Sequence, residues 1–420
     1  MNTAIILVLN CGSSSLKFGL YRLQSLSTAS TENEISPIEV LLTGEVEPIG
    51  ISEVGVVEAS INIVNKEPVA KPLAVKTINF SNHKEAILHV VRLLAESSMP
   101  APVAIGHRVV HGGFKLREHC LIDDGVIKQL EAASTFAPLH NYAALLAIRI
   151  TQALFPHLPQ VACFDTTFHL EMPEIASVLP ISKILRLEGI RRYGFHGLSY
   201  ESIVQQLGKN IPRRLVIAHL GNGASVTAVK NGKSIDTSMG MTPTGGIMMG
   251  TRSGDIDPGV LIYLMHEKRF DAAMLENLVD HQSGLLGISG IDSDMRHLHE
   301  AAKSNSHAQL AIQMFCYAVQ KQIAAMISVL NGIDMLVFTG GIGENDSEIR
   351  TSICKGLAWF GIKLDESKNR SADDSNASQS TNGSAIDDTV SCCKICVITS
   401  NEDEQIARHT LSLIKDCILS

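Results

Sequence analysis

Residues 4–23, AIILVLNCGSSSLKFGLYRL, contain two apolar runs on either side of a short stretch of glycine and serine. Two such runs joined by a tight Gly/Ser turn predict a β-hairpin. A related pattern returns in residues 214–229, RLVIAHLGNGASVTAV, after which Asn231-Gly232 is a strong type I′ turn signal. Two units of this kind in one chain predict a duplicated α/β domain.

Apolar periodicity predicts further elements around the two hairpins. The predicted helices are 82–96, 123–133, 139–154, 307–330 and 402–416, and the predicted buried strands are 103–110, 160–164, 334–338 and 397–399. The chain is thereby divided into an N-terminal domain, 1–165, joined by the C-terminal segment 402–420, and a second domain, 166–400. Residues 371–388 are rich in Ser, Asn and Asp, which predicts a mobile surface insertion in the second domain.

The composition limits the possible functions. Hydrophobic residues make up 45% of the 420 residues, which is enough for sizeable cores and excludes a mainly disordered chain. The net charge is −8, whereas nucleic-acid-binding proteins are usually basic, so we expect no nucleic-acid partner. A site for an anion would therefore need positive charge that is concentrated locally.

The nine cysteines lie mostly within apolar runs, which is typical of reduced, buried thiols. Cys392, Cys393 and Cys396 include a C-x-x-C spacing, but no second pair follows at zinc spacing, so a strand is the favoured interpretation. The N-terminal apolar run has no basic segment before it, and no stretch reaches 18 uncharged apolar residues. We expect a cytoplasmic protein with no membrane partner.

Three Gly-rich turns follow predicted strands, at 11–15, 221–225 and 340–345. Glycine lets the backbone approach an anion closely, and the N–H groups of a turn can bind phosphate oxygens. Each turn alone is more often structural, but three in one chain favour a nucleotide. These turns contain neither the P-loop nor the dinucleotide-binding glycine pattern, so hairpins would have to hold the phosphates.

Charged side chains lie beside these turns and at the ends of predicted strands. Lys17 follows the first turn, Arg108 lies between two histidines at a strand end, and Arg252 lies in a loop of small residues. Guanidinium groups suit phosphoryl and carboxylate oxygens, although a single arginine more often forms a surface ion pair. Asp165 follows a buried strand, at the end where open α/β sheets bind ligands. A lone histidine within a strand, such as His219, is more often a satisfied core residue.

Together these motifs resemble the acetate kinase (acetokinase) family of the sugar kinase, Hsp70 and actin superfamily. The matching runs keep the family's order and span nearly the whole chain: 10–17, 106–113, 138–141, 164–166, 193–197, 219–223, 236–259, 340–345 and 401–402. The resemblance implies an α/β fold of two duplicated ribonuclease-H-like, or actin-like ATPase, domains around a central cleft. It also implies phosphoryl transfer between ATP and acetate, giving ADP and acetyl phosphate, with Mg²⁺ (Mn²⁺ as an alternative) and a homodimer.

The resemblance assigns roles residue by residue. Asn10 and Glu402 would be the magnesium-associated pair, with Asp403 as an alternative to Glu402; the neutral Asn10 would order metal-bound water. ATP would contact Lys17, His219, Leu220, Gly221, Asn222, Gly223, Asp294, Met295, Arg296, Gly341, Ile342, Gly343, Glu344 and Asn345. Arg108 would bind the substrate carboxylate. The catalytic residues would be Asp165, His196 and Arg252, with His140 in support.

The acyl pocket would, by the same resemblance, be lined by Val110, Leu139, Phe195 and Pro243. These side chains are apolar and rather bulky, and relatives that prefer propionate tend to have a smaller residue in place of Val110. One methylene is worth only roughly 1–3 kcal/mol of discrimination. Acetate is therefore the favoured substrate, with propionate expected to be poorer.

The chemistry of such a reaction can be checked against the residues. A carboxylate substrate is already ionised at pH 7 and needs no general base. Because an anion must attack a polyanion, the site needs cations that stabilise an in-line phosphoryl transfer. We therefore expect Asp165 to orient an arginine or the metal shell rather than to abstract a proton. The alternatives are a propionate or butyrate kinase, a phosphatase of the same superfamily, and an Hsp70-like or actin-like ATPase module.

Overall fold

The computed structural model describes residues 3–12, 15–24, 38–47, 49, 51–52, 55–56, 58–65, 77–96, 99–134, 138–373 and 383–418. The contacts within the chain define two compact units, Met1–Thr167 with Asn401–Ser420, and Phe168–Ser400. The first unit is thus assembled from both ends of the chain. Residues 374–382 of the predicted insertion, and Ser13-Ser14 of the first Gly/Ser turn, lie outside the described residues.

The first unit is built on a mixed β-sheet. Its strands are β1 (Thr3–Cys11), β2 (Leu16–Gln24), β3 (Ile38–Glu47), β4 (Ile51–Ser52), β5 (Gly55–Val56), β6 (Glu58–Asn65), β7 (Thr77–Asn79), β8 (Ala104–Val109), β9 (Cys120–Leu121) and β10 (Gln160–Phe164). Eight of them form one sheet in the order β7-β6-β3-β2-β1-β8-β10-β9, and β4 pairs with β5 separately. The helices are α1 (His83–Glu96), α2 (Asp124–Ala133), α3 (Pro138–Leu154) and the C-terminal helix, Glu402–Ile418.

The second unit contains a six-stranded sheet in the order β13-β12-β11-β14-β16-β15, formed by β11 (Arg214–Leu220), β12 (Ala224–Lys230), β13 (Lys233–Thr237), β14 (Met335–Thr339), β15 (Ser384–Ala385) and β16 (Lys394–Val397). Its helices are α4 (Glu174–Ser177), α5 (Lys183–Leu187), α6 (Gly197–Leu207), α7 (Pro258–Lys268), α8 (Ala272–His281), α9 (Gly284–Ser289), α10 (Met295–Ala302), α11 (Ser306–Leu330), α12 (Gly340–Asn345), α13 (Ser347–Gly356) and α14 (Glu366–Ser371). Three short 3₁₀ turns, Thr167–His169, Gly208–Asn210 and Ala358–Phe360, connect these elements.

The two sheets repeat one topology. In each, three antiparallel strands (β1–β3 or β11–β13) are followed by two strands parallel to the first, which gives β3-β2-β1-β8-β10 and β13-β12-β11-β14-β16. The parallel strands are buried on both faces, as the apolar runs in the sequence require. The predicted duplicated α/β fold is confirmed.

Most predicted elements are confirmed within a few residues, and two are corrected. The Asn231-Gly232 turn has φ values of 51° and 83°, as a type I′ turn requires. The last strand is Lys394–Val397 rather than 397–399, because Ile395 pairs in register with Leu336 of β14. Residues 340–345 form the short helix α12 instead of the predicted Gly-rich turn.

One helix among those described, α11, is long and apolar enough to cross a membrane by length and composition, with a mean hydropathy of 1.2. In this structure 39% of that stretch is buried. The buried side chains include Phe315, Val319 and Ile323, and the helix packs on β11 and β12 as well as on α9, α10 and α13. This is the arrangement of a helix that covers a sheet.

Candidate active site

Three neighbouring strands of the first unit end in polar residues. Asn10 lies near the end of β1, Arg108 near the end of β8, and Asp165 directly after β10. Because these strands are parallel and adjacent, their carboxyl ends meet at one edge of the sheet. Lys17 faces Asn10 across the β1–β2 hairpin. The sequence motifs that contain these residues are therefore brought together by the strand order.

Asp165 and Arg108 form a paired, buried ion contact. Nε of Arg108 donates to both carboxylate oxygens of Asp165, at 3.1 and 3.0 Å, and Nη2 donates to Oδ2 at 2.6 Å. Asp165 is only 1% exposed. Burial raises the pKa of Asp165 to about 6, and the guanidinium opposes that rise, so the carboxyl is ionised at pH 7. An ionised, fully engaged carboxylate suits the orientation of an arginine.

Asn10 links this pair to the first turn of the C-terminal helix. Its Oδ1 accepts from Nη1 of Arg108 at 3.2 Å, and its Nδ2 donates to Oδ1 of Asp403 at 3.1 Å. Glu402 lies farther away, with Oε2 3.9 Å from Nε of Arg108. Burial raises the pKa of Asp403, and the hydrogen bond from Asn10 opposes this. Both acidic residues stand at a helix N-terminus, where the helix dipole favours negative charge.

The donor set of this cluster suits a hard divalent cation. It offers carboxylate oxygens from Glu402 and Asp403 and an amide oxygen from Asn10, the ligand types that Mg²⁺ and Mn²⁺ prefer. Negative charge is also in excess, because the cations Arg108 and Lys17 are outnumbered by the carboxylates around them. The residues therefore fit the metal that the resemblance implies.

Lys17 is placed between carboxylates at the same edge of the first sheet. Its Nζ lies 3.6 Å from Oε1 of Glu45, and half of its side chain is exposed. Burial lowers the pKa of Lys17, but the surrounding carboxylates, Glu45 first, raise it by more. The ammonium group is thus charged at pH 7 and accessible to an anionic ligand.

In the second unit a group of imidazoles lies beside the glycine hairpin between β11 and β12. His196 precedes α6, with φ 58° and ψ 25°, and its ring stacks on His219 at 4.2 Å between centroids. Nδ1 of His196 lies 2.8 Å from Oγ of Ser225, which also forms a hydrogen bond with the Tyr200 hydroxyl. Nδ1 of His219 lies 2.8 Å from Oγ of Ser199. Neighbouring hydroxyl groups thus orient both rings.

Gly223, in the same hairpin, must be small for these groups to approach. A Cβ atom added there would lie 3.2 Å from Nε2 of His196 and 3.4 Å from Nη1 of Arg252. The imidazole and the guanidinium therefore face the same backbone position. Nη1 of Arg252 also donates to the carbonyl oxygen of Pro243 at 3.3 Å, which fixes the side chain. An imidazole and a permanent cation beside a glycine turn can together bind an anion.

The predicted nucleotide segment 340–345 packs on this hairpin. A Cβ on Gly221 would lie 3.8 Å from the backbone nitrogen of Gly341, and Gly341 itself has open space at its Cβ position. Glu344 accepts hydrogen bonds from the backbone nitrogens of Gly340 and Ser400 at 2.8 and 3.1 Å. Asn345 donates to the carbonyl oxygen of Gly341 at 2.9 Å. The two polar side chains hold α12 in place, and Gly341 leaves room for a ligand.

Asp294, Met295 and Arg296 begin α10. Asp294 caps the helix by accepting from the backbone nitrogen of Arg296 at 2.8 Å, and its carboxylate also pairs with that side chain at 2.6 Å. Met295 is buried, whereas 88% of the Arg296 side chain is exposed. The hydrogen bonds from Arg296 lower the pKa of Asp294. Of the three, Arg296 alone presents a large surface to solvent.

The residues predicted to bind the acyl group fall in both units. Val110 is buried in the first unit, and Phe195 is buried in the second, directly before His196. The side chains of Leu139 and His140 lie outside the described residues, but the adjacent Asn141 is described. Its Nδ2 donates to the carbonyl oxygen of His111 at 2.8 Å, and its Oδ1 accepts from the His111 backbone nitrogen. Asn141 therefore holds the loop that follows Val110.

The sequence patterns did not identify several polar residues that support the candidate site in the second unit. Ser225 stands in an apolar strand, and that interruption was the available signal for its contact with His196. Arg350 is fully buried and donates to the carbonyl oxygens of Gly343 and Asn369 at 3.0 and 2.8 Å. It thereby connects α12 to α14. No local pattern distinguishes it from an exposed helical arginine, because its partners are distant in the sequence.

Similarity to known proteins identifies the family of this chain. The chain matches the model of the Acetokinase family over residues 5–408. It is 40% identical to the acetate kinase of Acetivibrio thermocellus, covering 98% of this chain and 99% of that protein. Its structure is similar to a propionate kinase from Francisella tularensis (TM-score 0.83, 39% identity, 98% and 100% coverage) and to the acetate kinase of Porphyromonas gingivalis (0.78, 34%, 98% and 100%). With its motifs at the strand ends of two duplicated sheets, the chain belongs to the acetokinase family.

Proposed function

We propose that the protein is an acetate kinase, which transfers the γ-phosphoryl group of ATP to acetate and forms acetyl phosphate and ADP. The observation that supports this reaction most directly is the Arg108–Asp165 pair, in which a buried carboxylate holds a guanidinium by hydrogen bonds of 2.6 to 3.1 Å. A guanidinium fixed in this way can bind a small carboxylate in one orientation. The Acetokinase family match and the relatives named acetate kinase support the same reaction.

Each unit contributes a different part of the reaction. In the first, Arg108 binds the substrate carboxylate, which is ionised and attacks without a general base. In the second, His196 and Arg252 stabilise negative charge that develops on the transferred phosphoryl group. The glycines of the β11–β12 hairpin and Gly341 let the nucleotide approach the backbone. Asp165 keeps Arg108 in position.

Mg²⁺ is the proposed metal, with Mn²⁺ as an alternative. Glu402 and Asp403 would hold it, partly through water, and a bound divalent cation would neutralise phosphate charge. Asn10 would order the water shell, because its amide oxygen already accepts from Arg108. Asp403 joins Glu402 as a candidate because it is the one that contacts Asn10 directly.

Acetate is the proposed acceptor, and propionate is the second candidate. The similar structure from Francisella tularensis carries the name propionate kinase, at 39% identity. Val110 favours the smaller acid, because a bulky, buried side chain at the acyl pocket leaves less room for an extra methylene. One methylene changes specificity by roughly 10–200-fold. Comparison of kcat/KM for acetate and propionate distinguishes the two.

The reaction itself is tested by trapping acetyl phosphate as the hydroxamate, with ATP, Mg²⁺ and acetate. We expect hydroxamate formation that depends on all three components. Acetate-independent release of phosphate would instead indicate an ATPase or a phosphatase and would contradict the proposal. A higher kcat/KM for propionate than for acetate would make propionate the acceptor instead.

We also propose a homodimer that associates through α7. None of the eleven residues of this fully described helix is buried, although it carries Val260, Ile262, Tyr263 and Met265, each about half exposed. Exposed apolar patches of this kind mark interaction sites. We expect wild type to sediment as a dimer and Ile262→Glu to sediment as a monomer. A monomeric wild type would contradict the proposal.

A cytoplasmic location is proposed as well. The cysteines that the structure describes are free thiols, which is typical of a reducing compartment. Fractionation of cells that express the full chain tests this proposal, and recovery in the membrane or secreted fraction would contradict it.

A further inference from the structure

His169 is a buried histidine to which neither the motifs nor the proposed reaction assigns a role. It ends the 3₁₀ turn Thr167–His169 and is 2% exposed. Both of its ring nitrogens have partners in the second unit. Nδ1 lies 2.8 Å from Oγ of Ser234, and Nε2 lies 3.0 Å from the carbonyl oxygen of Phe195.

These partners define the state of the ring. A carbonyl oxygen only accepts, so Nε2 of His169 carries the proton and donates to Phe195. Nδ1 then accepts from the hydroxyl of Ser234. Burial lowers the pKa of His169 to about 4, although the hydrogen bond to Phe195 opposes this shift. A neutral ring with one donor and one acceptor satisfies both partners at pH 7.

The first connection from His169 to His196 runs through the backbone. The carbonyl group of Phe195 belongs to the peptide unit that enters His196, and His196 has a left-handed backbone conformation with φ 58°. A non-glycine residue in this region is strained and persists only when its surroundings hold it. The hydrogen bond from His169 fixes the peptide unit on the N-terminal side of this strained residue.

The second connection runs through packing. Gly194 has φ 76°, and a Cβ atom there would lie 2.6 Å from Cδ2 of His169, so the ring lies directly against this backbone. The ring also meets Tyr200 edge-on, with centroids 5.6 Å apart. Tyr200 bonds to Ser225, which in turn contacts Nδ1 of His196. His169 therefore contacts the turn before His196. It also contacts Tyr200, which bonds to the Ser225 hydroxyl beside the His196 ring.

We propose that His169 is a positioning residue for His196, which it holds in its left-handed conformation through Phe195 and Tyr200. The inference rests on the proposed function only for the role of His196 in phosphoryl transfer. It predicts that altering the hydrogen bond from position 169 displaces the His196 ring without removing any group that contacts substrate. A displacement of about 1 Å at a catalytic group lowers rates by about 10²-fold.

The test compares two substitutions that each retain a different half of the imidazole. His169→Gln places an amide N–H near the original Nε2 and can still donate to Phe195. His169→Asn reaches only the Nδ1 position and loses that contact. We expect His169→Asn to lower kcat by about 10²-fold with nearly unchanged KM values. His169→Gln should recover most of the rate, and His307→Asn, an exposed histidine of the same unit, is the matched control.

A merely structural role gives a different result. If His169→Asn and His169→Gln lower thermal stability equally and leave kcat per folded enzyme unchanged, the proposal is overturned. Should His169→Asn fail to fold, Ser234→Ala provides the milder change. It removes the hydroxyl that donates to Nδ1 of His169 and should lower kcat by a smaller factor. An unchanged kcat in Ser234→Ala would then overturn the proposal.

A readout without turnover separates this inference from the proposed function. Histidine-selective NMR follows the His196 ring in wild type, Ser234→Ala and both His169 variants. We expect its signals to shift in His169→Asn and to lie near the wild-type position in His169→Gln. Unchanged His196 signals in His169→Asn would overturn the positioning role, even if wild type formed acetyl phosphate. A wild type without acetate-dependent turnover would contradict only the proposed function.

Discussion

The strand ends of the two units carry opposite chemistry, although their strands follow the same order. In the first unit Asp165, Glu402 and Asp403 surround Arg108, so carboxylates are in excess. In the second unit the His196 imidazole and the Arg252 guanidinium face the glycine hairpin, so nitrogen groups and positive charge dominate. The same strand order therefore carries different side chains, and the proposed ligands differ accordingly: a divalent cation in the first unit and phosphate in the second.

The largest expected effect comes from removing the cation of the first unit. Arg108→Met should lower kcat/KM for acetate by about 10²–10⁴-fold, because the substrate carboxylate loses its charge-assisted hydrogen bonds. The variant also leaves Asp165 buried without its partner, which costs about 3–5 kcal/mol of folding stability. Steady-state kinetics and urea unfolding measure the two effects.

The control for this variant is Arg22→Met, in the same unit, which removes an exposed ion pair with Glu39. It should change activity and stability little, because exposed pairs contribute about 0–1 kcal/mol. If Arg108→Met kept kcat/KM within tenfold of wild type, the first unit would not carry the carboxylate site.

The corresponding change in the second unit is Arg252→Met. We expect kcat to fall by about 10²–10³-fold, as for removal of one preorganised donor at a site of developing charge. The loss should appear in kcat more than in the KM for acetate, because Arg252 is proposed to act on the transferred group. Arg213→Met, which removes an exposed arginine of the same unit, should behave like wild type. A change confined to the KM for acetate would contradict this division of roles.

A smaller effect is expected when the orienting carboxylate is neutralised. Asp165→Asn cannot accept the paired hydrogen bonds of Arg108, so the guanidinium should lose its fixed orientation. We expect kcat to fall by about 10²-fold and the Mg²⁺ dependence to change, measured by titrating Mg²⁺ at saturating ATP. Asp124→Asn is an exposed control. Full activity with unchanged Mg²⁺ dependence would show that Asp165 does not orient Arg108.

The smallest expected effect concerns a buried histidine with a lowered pKa, a feature that is found in both units. His107, like His169, is buried with its pKa lowered to about 4, by burial first and against a hydrogen bond with Gln160. In the unfolded chain the pKa of His107 is near 6.5, so below this pH the unfolded chain binds a proton that the folded state does not bind. The stability that His107 contributes is therefore complete above about pH 6.5 and is lost as the pH falls toward 4.

This sign leads to a measurable difference between pH 7 and pH 5. Titration of His107 should lower the free energy of unfolding of wild type by about 2 kcal/mol when the pH falls from 7 to 5. The free energy of unfolding of His107→Gln should fall by about 2 kcal/mol less over the same range. Activity at pH 7 should change little, because His107 contacts Gln160 and Thr151 rather than the strand-end cluster. His157→Gln, an exposed histidine of the first unit, is the control. Equal pH dependence of His107→Gln and wild type would contradict the interpretation.

Much of the fold followed from local patterns. The apolar runs around residues 11–15 and 221–225 predicted both hairpins, and strand 160–164 and helix 307–330 were predicted almost to the residue. These patterns are readable because side-chain periodicity reflects burial directly. The last strand begins earlier than predicted, because its start depends on pairing with β14, a partner that lies about sixty residues earlier in the chain.

Local patterns were enough to predict the duplicated α/β architecture, the two hairpins with their glycine turns, and the residue types that suit phosphoryl transfer to a carboxylate. Three features emerge only from the folded chain: the hydrogen bond from Asn10 to Asp403, the three contacts between Arg108 and Asp165, and the support of His169 for the peptide before His196. Periodicity is a local property, so it is written in neighbouring residues. A hydrogen bond between residues 10 and 403 depends on strand order and helix docking, which no window of sequence contains.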